Sequence, residues 1–158
     1  MNNEVKQVTL NEMFPLMEEQ LKCGGTVVFK PKGTSMLPLI RQGIDSVSLS
    51  PTHGKLKKHD IPLYRRADKS FILHRVVKVC SDGTYAMCGD NQVDFEYGIS
   101  DENIIGVVAG VYRDKKFIPI KSLRLWLYSR TLFIRRAWRK SFFKRAIMWG
   151  LRKCKIIK

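Results

Sequence analysis

Hydrophobic and polar positions change their period along the chain, and each change marks a new kind of element. Leu10, Phe14, Met17 and Leu21 recur at helical spacing, so residues 9–23 read as a helix. Thr9 and Glu12 have capping-box spacing at its start, and Gly24-Gly25 stops it. Pro15 fits this helix if its first turn begins near Asn11. From residue 26 the period shortens. Val27–Lys30, Ser46–Leu49, Ile61–Arg65, Phe71–Val79, Thr84–Cys88, Ile104–Tyr112 and Phe117–Ile120 are short and rich in β-branched or aromatic residues. Turn clusters separate them, among them Pro51-Thr52-His53-Gly54, Ser81-Asp82-Gly83 and Arg113-Asp114-Lys115-Lys116. Short strands with frequent turns predict a mainly β, barrel-like or coiled antiparallel domain over 26–120. A short N-terminal helical segment, 1–25, precedes it.

The period lengthens again in residues 121–158, the third segment. Leu123, Leu127, Ile134, Trp138 and Phe142 share one helical face, and Arg135, Arg136, Arg139 and Lys140 fall largely on the other. Trp126 adds to the aromatic content of this stretch. The pattern is that of a basic amphipathic helix lying in a membrane interface, with an alternative in which its first turns dock on the β domain.

Charge sharpens that division. The net charge is +15, and residues 121–158 hold 13 Lys and Arg with no acidic residue. Residues 26–120 therefore belong to a nearly balanced globular unit, and the tail calls for its own anionic partner. An anionic membrane surface suits the bulky apolar side chains best. Nucleic acid also fits the charge and ranks behind it. No run approaches the roughly 18–20 apolar residues of a spanning helix. The polar start, Met1 to Lys6, has no secretory pattern. The four cysteines, Cys23, Cys80, Cys88 and Cys154, lack metal-type spacing and read as reduced thiols. Together these features predict a cytoplasmic protein, peripheral at the inner face of a membrane.

Three short stretches could carry chemistry. In Gly33-Thr34-Ser35-Met36-Leu37-Pro38, a serine follows a strand and a glycine turn, which can expose its hydroxyl. Backbone N–H groups of Thr34 and Ser35 can face an incoming carbonyl, and Met36 packs near the cleft. In Phe71–Val79, His74 shares a face with Ile72 and Val76, and imidazole can take a proton from a serine within reach. Gly89-Asp90-Asn91 ends a strand in a turn, with Asp94 close behind. Either aspartate could orient His74, and the residues alone do not choose between them. Each stretch also has a plain structural reading: a polar loop, a core histidine and an Asx turn. His53 and His59 sit in polar, basic stretches and read as surface residues.

The order of these stretches resembles the signal peptidase I and LexA-type superfamily of serine peptidases over roughly residues 26–113. Gly33-Thr34-Ser35-Met36 resembles its nucleophile box, His74-Arg75-Val76 its general-base box and Gly89-Asp90-Asn91 its later acidic box. His59-Asp60-Ile61 stands where the family has Gly-Asp before an apolar strand, and Ile105-Gly106-Val107-Val108 resembles the closing strand. The histidine matches the archaeal and endoplasmic-reticulum branch, whereas bacterial signal peptidases and LexA-type repressors use lysine. The resemblance implies a coiled antiparallel β-sheet fold, Ser35 as nucleophile, His74 as base, and Asp90 or Asp94 as the third group. Gly33 stands where signal peptidases often carry a hydroxyl, which leaves oxyanion binding to the backbone. Neither an N-terminal anchor nor a helix-turn-helix precedes the first strand, so the arrangement is most similar to small stand-alone bacterial peptidases with a basic tail.

The expected function is therefore a serine endopeptidase that cleaves a peptide or protein precursor with a Ser35–His74 dyad and needs no metal or cofactor. Two other readings compete. One is an inactive peptidase fold that only binds. The other is a self-cleaving regulator, for which Cys23-Gly24-Gly25 is the weak candidate site.

Overall fold

The computed structural model describes residues 10–132. Helix α1, Leu10–Lys22, leads into nine strands: β1 Val27–Phe29, β2 Ser46–Ser50, β3 Pro62–Arg65, β4 Phe71–Leu73, β5 Arg75–Val79, β6 Tyr85–Cys88, β7 Glu96–Ile99, β8 Ile104–Arg113 and β9 Lys116–Pro119. A second helix, α2, runs over 123–132. The chain is mainly β, as its periodicity predicts.

The strands form two antiparallel sheets. The larger has the order β1-β2-β8-β3-β4, with β9 also on β8; the smaller is β5-β6-β7. The ten-residue β8 is the spine: β2 lies along one edge, while β3 and β9 share the other. Register shifts at Ser48/Leu49 and Leu63/Tyr64 fall on its pairings with β2 and β3. Such bulges raise local twist and let a sheet coil.

The interior divides into two cores, the second shared by both sheets. Val47, Leu49, Leu63, Leu73, Val108 and Val111 meet Met36, Leu39 and Ile40 in the first. Tyr64, Val76, Tyr85, Met87 and Ile99 make the second. Burying each such side chain stabilises the fold by about 1.5–3 kcal/mol. Met17 and Leu21, one turn apart on α1, join the first core. Phe14 packs its ring 5.0 Å from that of Phe71, and the Arg65 guanidinium lies over both rings. Pro15 lies inside α1, and Thr9, its expected cap, is outside the described residues.

The structure departs from the sequence reading in three places. Phe71–Val79 is not one strand: the chain leaves the large sheet after Leu73 and enters the small one at Arg75. Asp60 and His59 hold the new start, with Val76 N–H donating to the Asp60 carbonyl at 2.8 Å and His59 N–H to the Val76 carbonyl at 2.9 Å. Strand β7 was not foreseen, because Glu96-Tyr97-Gly98 has no apolar alternation and Gly98 has φ of 79°. In α2 the docked face is Leu125, Tyr128 and Leu132, while Leu123 and Leu127 are exposed. Packing on the domain decides which side of α2 is covered, whatever the periodicity of the residues beyond. Arg135, Arg136, Trp138, Arg139 and Lys140 lie outside the described residues. Among the described residues, no helix is long and apolar enough to cross a membrane.

Candidate functional site

Ser35 sits on a turn that is tied down at several points. Gly33 has φ of 100°, a region that favours glycine, and its N–H donates to Gln42 Oε1 at 3.1 Å. Leu37 N–H donates to the Thr34 carbonyl and Ile40 N–H to the Met36 carbonyl. Met36 is buried and anchors the turn in the first core, while Thr34 is exposed and Ser35 half-buried.

The turn after β6 braces the serine from the other sheet. Asn91 N–H donates to the Ser35 carbonyl at 2.7 Å, and Asn91 Nδ2 donates to the Thr34 carbonyl at 3.2 Å. Between these contacts Gly89 passes so close that a Cβ on it would lie 2.6 Å from the Ser35 carbonyl oxygen. The Gly89-Asp90-Asn91 stretch thus holds the Ser35 turn in place.

His74 occupies the crossover between the two sheets and is buried. It lines a small cavity of about 80 Å³ together with Ser35, Gly33, Met36 and Leu73. It also lines a larger groove of about 510 Å³ with Asn91, Asp94, Phe95 and Glu96. The candidate nucleophile and base, 39 positions apart in sequence, therefore share one cavity wall. The imidazole Nδ1 lies 3.2 Å from Tyr64 Oη.

The carboxylates divide in a way the sequence did not resolve. Asp90 is buried and accepts from Arg75 Nε at 2.8 Å and Nη2 at 2.7 Å. Arg75 Nη1 also donates to the His59 carbonyl. Arg75 is thus held in a buried ion pair, and Asp90 is its partner. Asp94 is exposed at the groove rim. Glu96 accepts from Tyr64 Oη at 2.6 Å and from Arg66 Nε and Nη2, each at 2.6 Å. The Arg66 hydrogen bonds, aided by that from Tyr64 and by the charges of Arg66 and His74, outweigh burial and hold the Glu96 carboxyl below its usual range. Burial, then Glu96, push the Tyr64 phenol well above its usual value.

Tyr64, Arg66 and Glu96 escaped the sequence reading. Tyr64 lies in a predicted strand among apolar residues, and Glu96 follows a loop without periodicity. The usable signal was a phenol in an otherwise apolar core strand, since a buried hydroxyl needs a partner. His59 is half-buried rather than a surface residue, and burial, with Arg75 nearby, lowers its pKa. His53 is exposed. Cys23, Cys80 and Cys88 are not joined in disulfides, and Cys80 N–H pairs with the Thr84 carbonyl across its hairpin. No group of three or more His, Cys, Asp or Glu among the described residues could hold a metal ion. Gly24 lines a separate cavity with Phe14 and Arg65, not the one shared by Ser35 and His74.

The arrangement places a serine and an imidazole on one cavity, with Tyr64 Oη between the imidazole and the Glu96 carboxylate. Those are the parts of nucleophilic acyl transfer. Comparison with protein-family models, curated proteins and solved structures returns no match.

Proposed function

We propose that this chain is a serine endopeptidase of the signal peptidase and LexA type, which cleaves a peptide or protein precursor with Ser35 and His74. The observation that carries the reading is the cavity lined by both residues at the junction of two sheets. Ser35 attacks the scissile carbonyl as His74 takes its proton. Backbone N–H groups of Thr34 and Ser35 receive the oxyanion. His74 then protonates the leaving amine, and water hydrolyses the acyl-enzyme. Positioned proton transfer of this kind contributes roughly 10²–10⁴-fold to rate, and each oxyanion donor about 10²–10³-fold. The groove beyond His74, with Met87, Val93 and Phe95 in its wall, suits an extended peptide with apolar side chains.

The basic tail brings this domain to an anionic membrane face. The exposed Leu123, Trp126 and Leu127 of α2 support that part, because they form an apolar stripe turned away from the core. Arg130 lies 4.3 Å over the Trp126 ring, which places a cation beside the stripe.

The test is digestion of a proteome-derived peptide library by the purified full chain, read by mass spectrometry. Cleavage that is lost in Ser35→Ala and in His74→Ala supports the reading. Retention of peptides without cleavage, equal in all three proteins, would identify a binding module instead. A truncated form of the protein itself, produced at a rate independent of dilution, would identify a self-cleaving regulator.

A further inference from the structure

We infer that Glu96, acting through Tyr64, fixes the tautomer of His74 and stabilises its protonated form; this deepens the peptidase reading and rests on it for the catalytic consequence. The protons can be counted. A phenol has a single proton, and Tyr64 Oη stands between two acceptor-capable partners: Glu96 Oε2 at 2.6 Å and His74 Nδ1 at 3.2 Å. An ionised carboxylate can only accept. Arg66 grips the Glu96 carboxylate through Nε and Nη2, which keeps it ionised. The Tyr64 proton therefore goes to Glu96. Toward His74 the phenol can present only a lone pair, so Nδ1 must carry the hydrogen. Neutral imidazole has one N–H, and the second lone pair is left on Nε2. That is the tautomer in which Nε2 accepts a serine proton.

The same chain of contacts acts on charge. When His74 becomes imidazolium, Glu96 is a carboxylate linked to it through a single hydroxyl. Other charged groups face the same space. Arg66 comes from just after β3, Asp94 from the loop before β7, and Lys32 from the turn before Ser35, while the Arg75–Asp90 pair begins one residue along the chain. Arg66 partly offsets Glu96, so the effect on His74 is moderate. Glu96 thus takes the orienting role that the sequence left between Asp90 and Asp94, with Tyr64 interposed. Both are positioning residues, since each acts on the serine only through the imidazole.

The experiment is long-range ¹H–¹⁵N NMR of the full chain with labelled histidine. The chain has three histidines, so the His74 signals are assigned by their loss in His74→Gln. The wild type is expected to show Nδ1 protonated and Nε2 unprotonated above the imidazole pKa. In Tyr64→Phe the Nε2–H tautomer should appear and the His74 pKa should fall by about one unit. Glu96→Gln, at a half-buried site, keeps a hydrogen-bond acceptor but loses the charge, and should lower the pKa similarly. That variant also carries the test if Tyr64→Phe fails to fold. An Nε2–H tautomer in the wild type, or an unchanged His74 pKa in folded variants, would overturn the inference. In peptide cleavage, the acidic limb of the pH–kcat profile should move down with the imidazole pKa. In the same assay kcat should fall roughly tenfold, one pKa unit expressed as a rate, with KM unchanged. If the NMR result holds and no peptide is cut by any form, the inference stands and the peptidase reading fails.

Discussion

Gly89 lacks a side chain where Ser35 fills the space of one. A Cβ there would also meet Gln92 Oε1 at 2.9 Å and Ser35 Cβ at 3.0 Å. Two of the three crowded atoms belong to Ser35, whose placement the proposed reaction needs. Gly89→Ala is therefore expected to push the Ser35 turn away and strain the Asn91 contacts. Overpacking of this kind costs about 1–3 kcal/mol, and a displacement near 1 Å costs on the order of 10²-fold in rate. Urea denaturation and peptide cleavage measure the two effects; a variant with wild-type turnover would contradict this role. The Gly-Asp-Asn order was legible as a motif, but its mechanical use was not, because close approach of two backbones is a tertiary fact. His59 makes the same point. It stands where the resembled family carries glycine, and its φ of 83° lies in the region glycine favours. Read as a polar surface residue, it gave no hint that its carbonyl holds Arg75.

Elements were legible where their pattern was local. Eight of the nine strands lie on stretches read from alternation, and α1 follows its apolar spacing. The division at His74 was not legible, because alternation runs unbroken from Ile72 to Val76. Only the partners differ: Leu73 faces Leu63 on β3, whereas Val76 faces Met87 on β6. The Arg75–Asp90 pair ties β5 to the turn after β6 with both side chains almost fully buried. Breaking one partner of such a pair costs about 3–5 kcal/mol, whereas replacing both by apolar groups of similar volume is often neutral. Asp90→Ala is expected to lose that amount in urea denaturation, and Arg75→Met with Asp90→Leu to recover most of it. A double variant as unstable as the single one would show that Asp90 has a separate duty. For α2, periodicity indicated the helix but not its contact face, since Leu125 and Tyr128 find the core first.

At the scale of the whole molecule, acid should loosen the fold from a second buried carboxylate. Asp45 is fully buried and accepts from Arg41 and from Arg113 at the end of β8. Burial raises its pKa, but the hydrogen bonds from Arg41 and Arg113 outweigh this and bring it well below the usual carboxylate range. A folded-state pKa below the unfolded one gives stability that is complete above the unfolded value and lost as pH falls toward the folded one. The melting temperature should therefore drop as pH falls below about 4, with a shallower pH dependence in Asp45→Asn, itself less stable at neutral pH. A parallel pH dependence in both proteins would exclude Asp45 as the source. The charge division of the chain belongs to the same scale. The full chain is expected to sediment with anionic phosphatidylserine vesicles, less so as salt rises, because exposed charges are screened. Equal recovery with neutral vesicles would contradict an electrostatic contribution.

If Ser35, activated by His74, cuts other proteins, the cut ends should be found in the cell. Protein N-termini can be compared in native-host cells carrying the wild type, Ser35→Ala or His74→Ala at equal expression. A set of N-termini is expected with the wild type and with neither variant, and the residues flanking them define the specificity. Identical N-termini in all three strains would contradict proteolysis by Ser35 and His74.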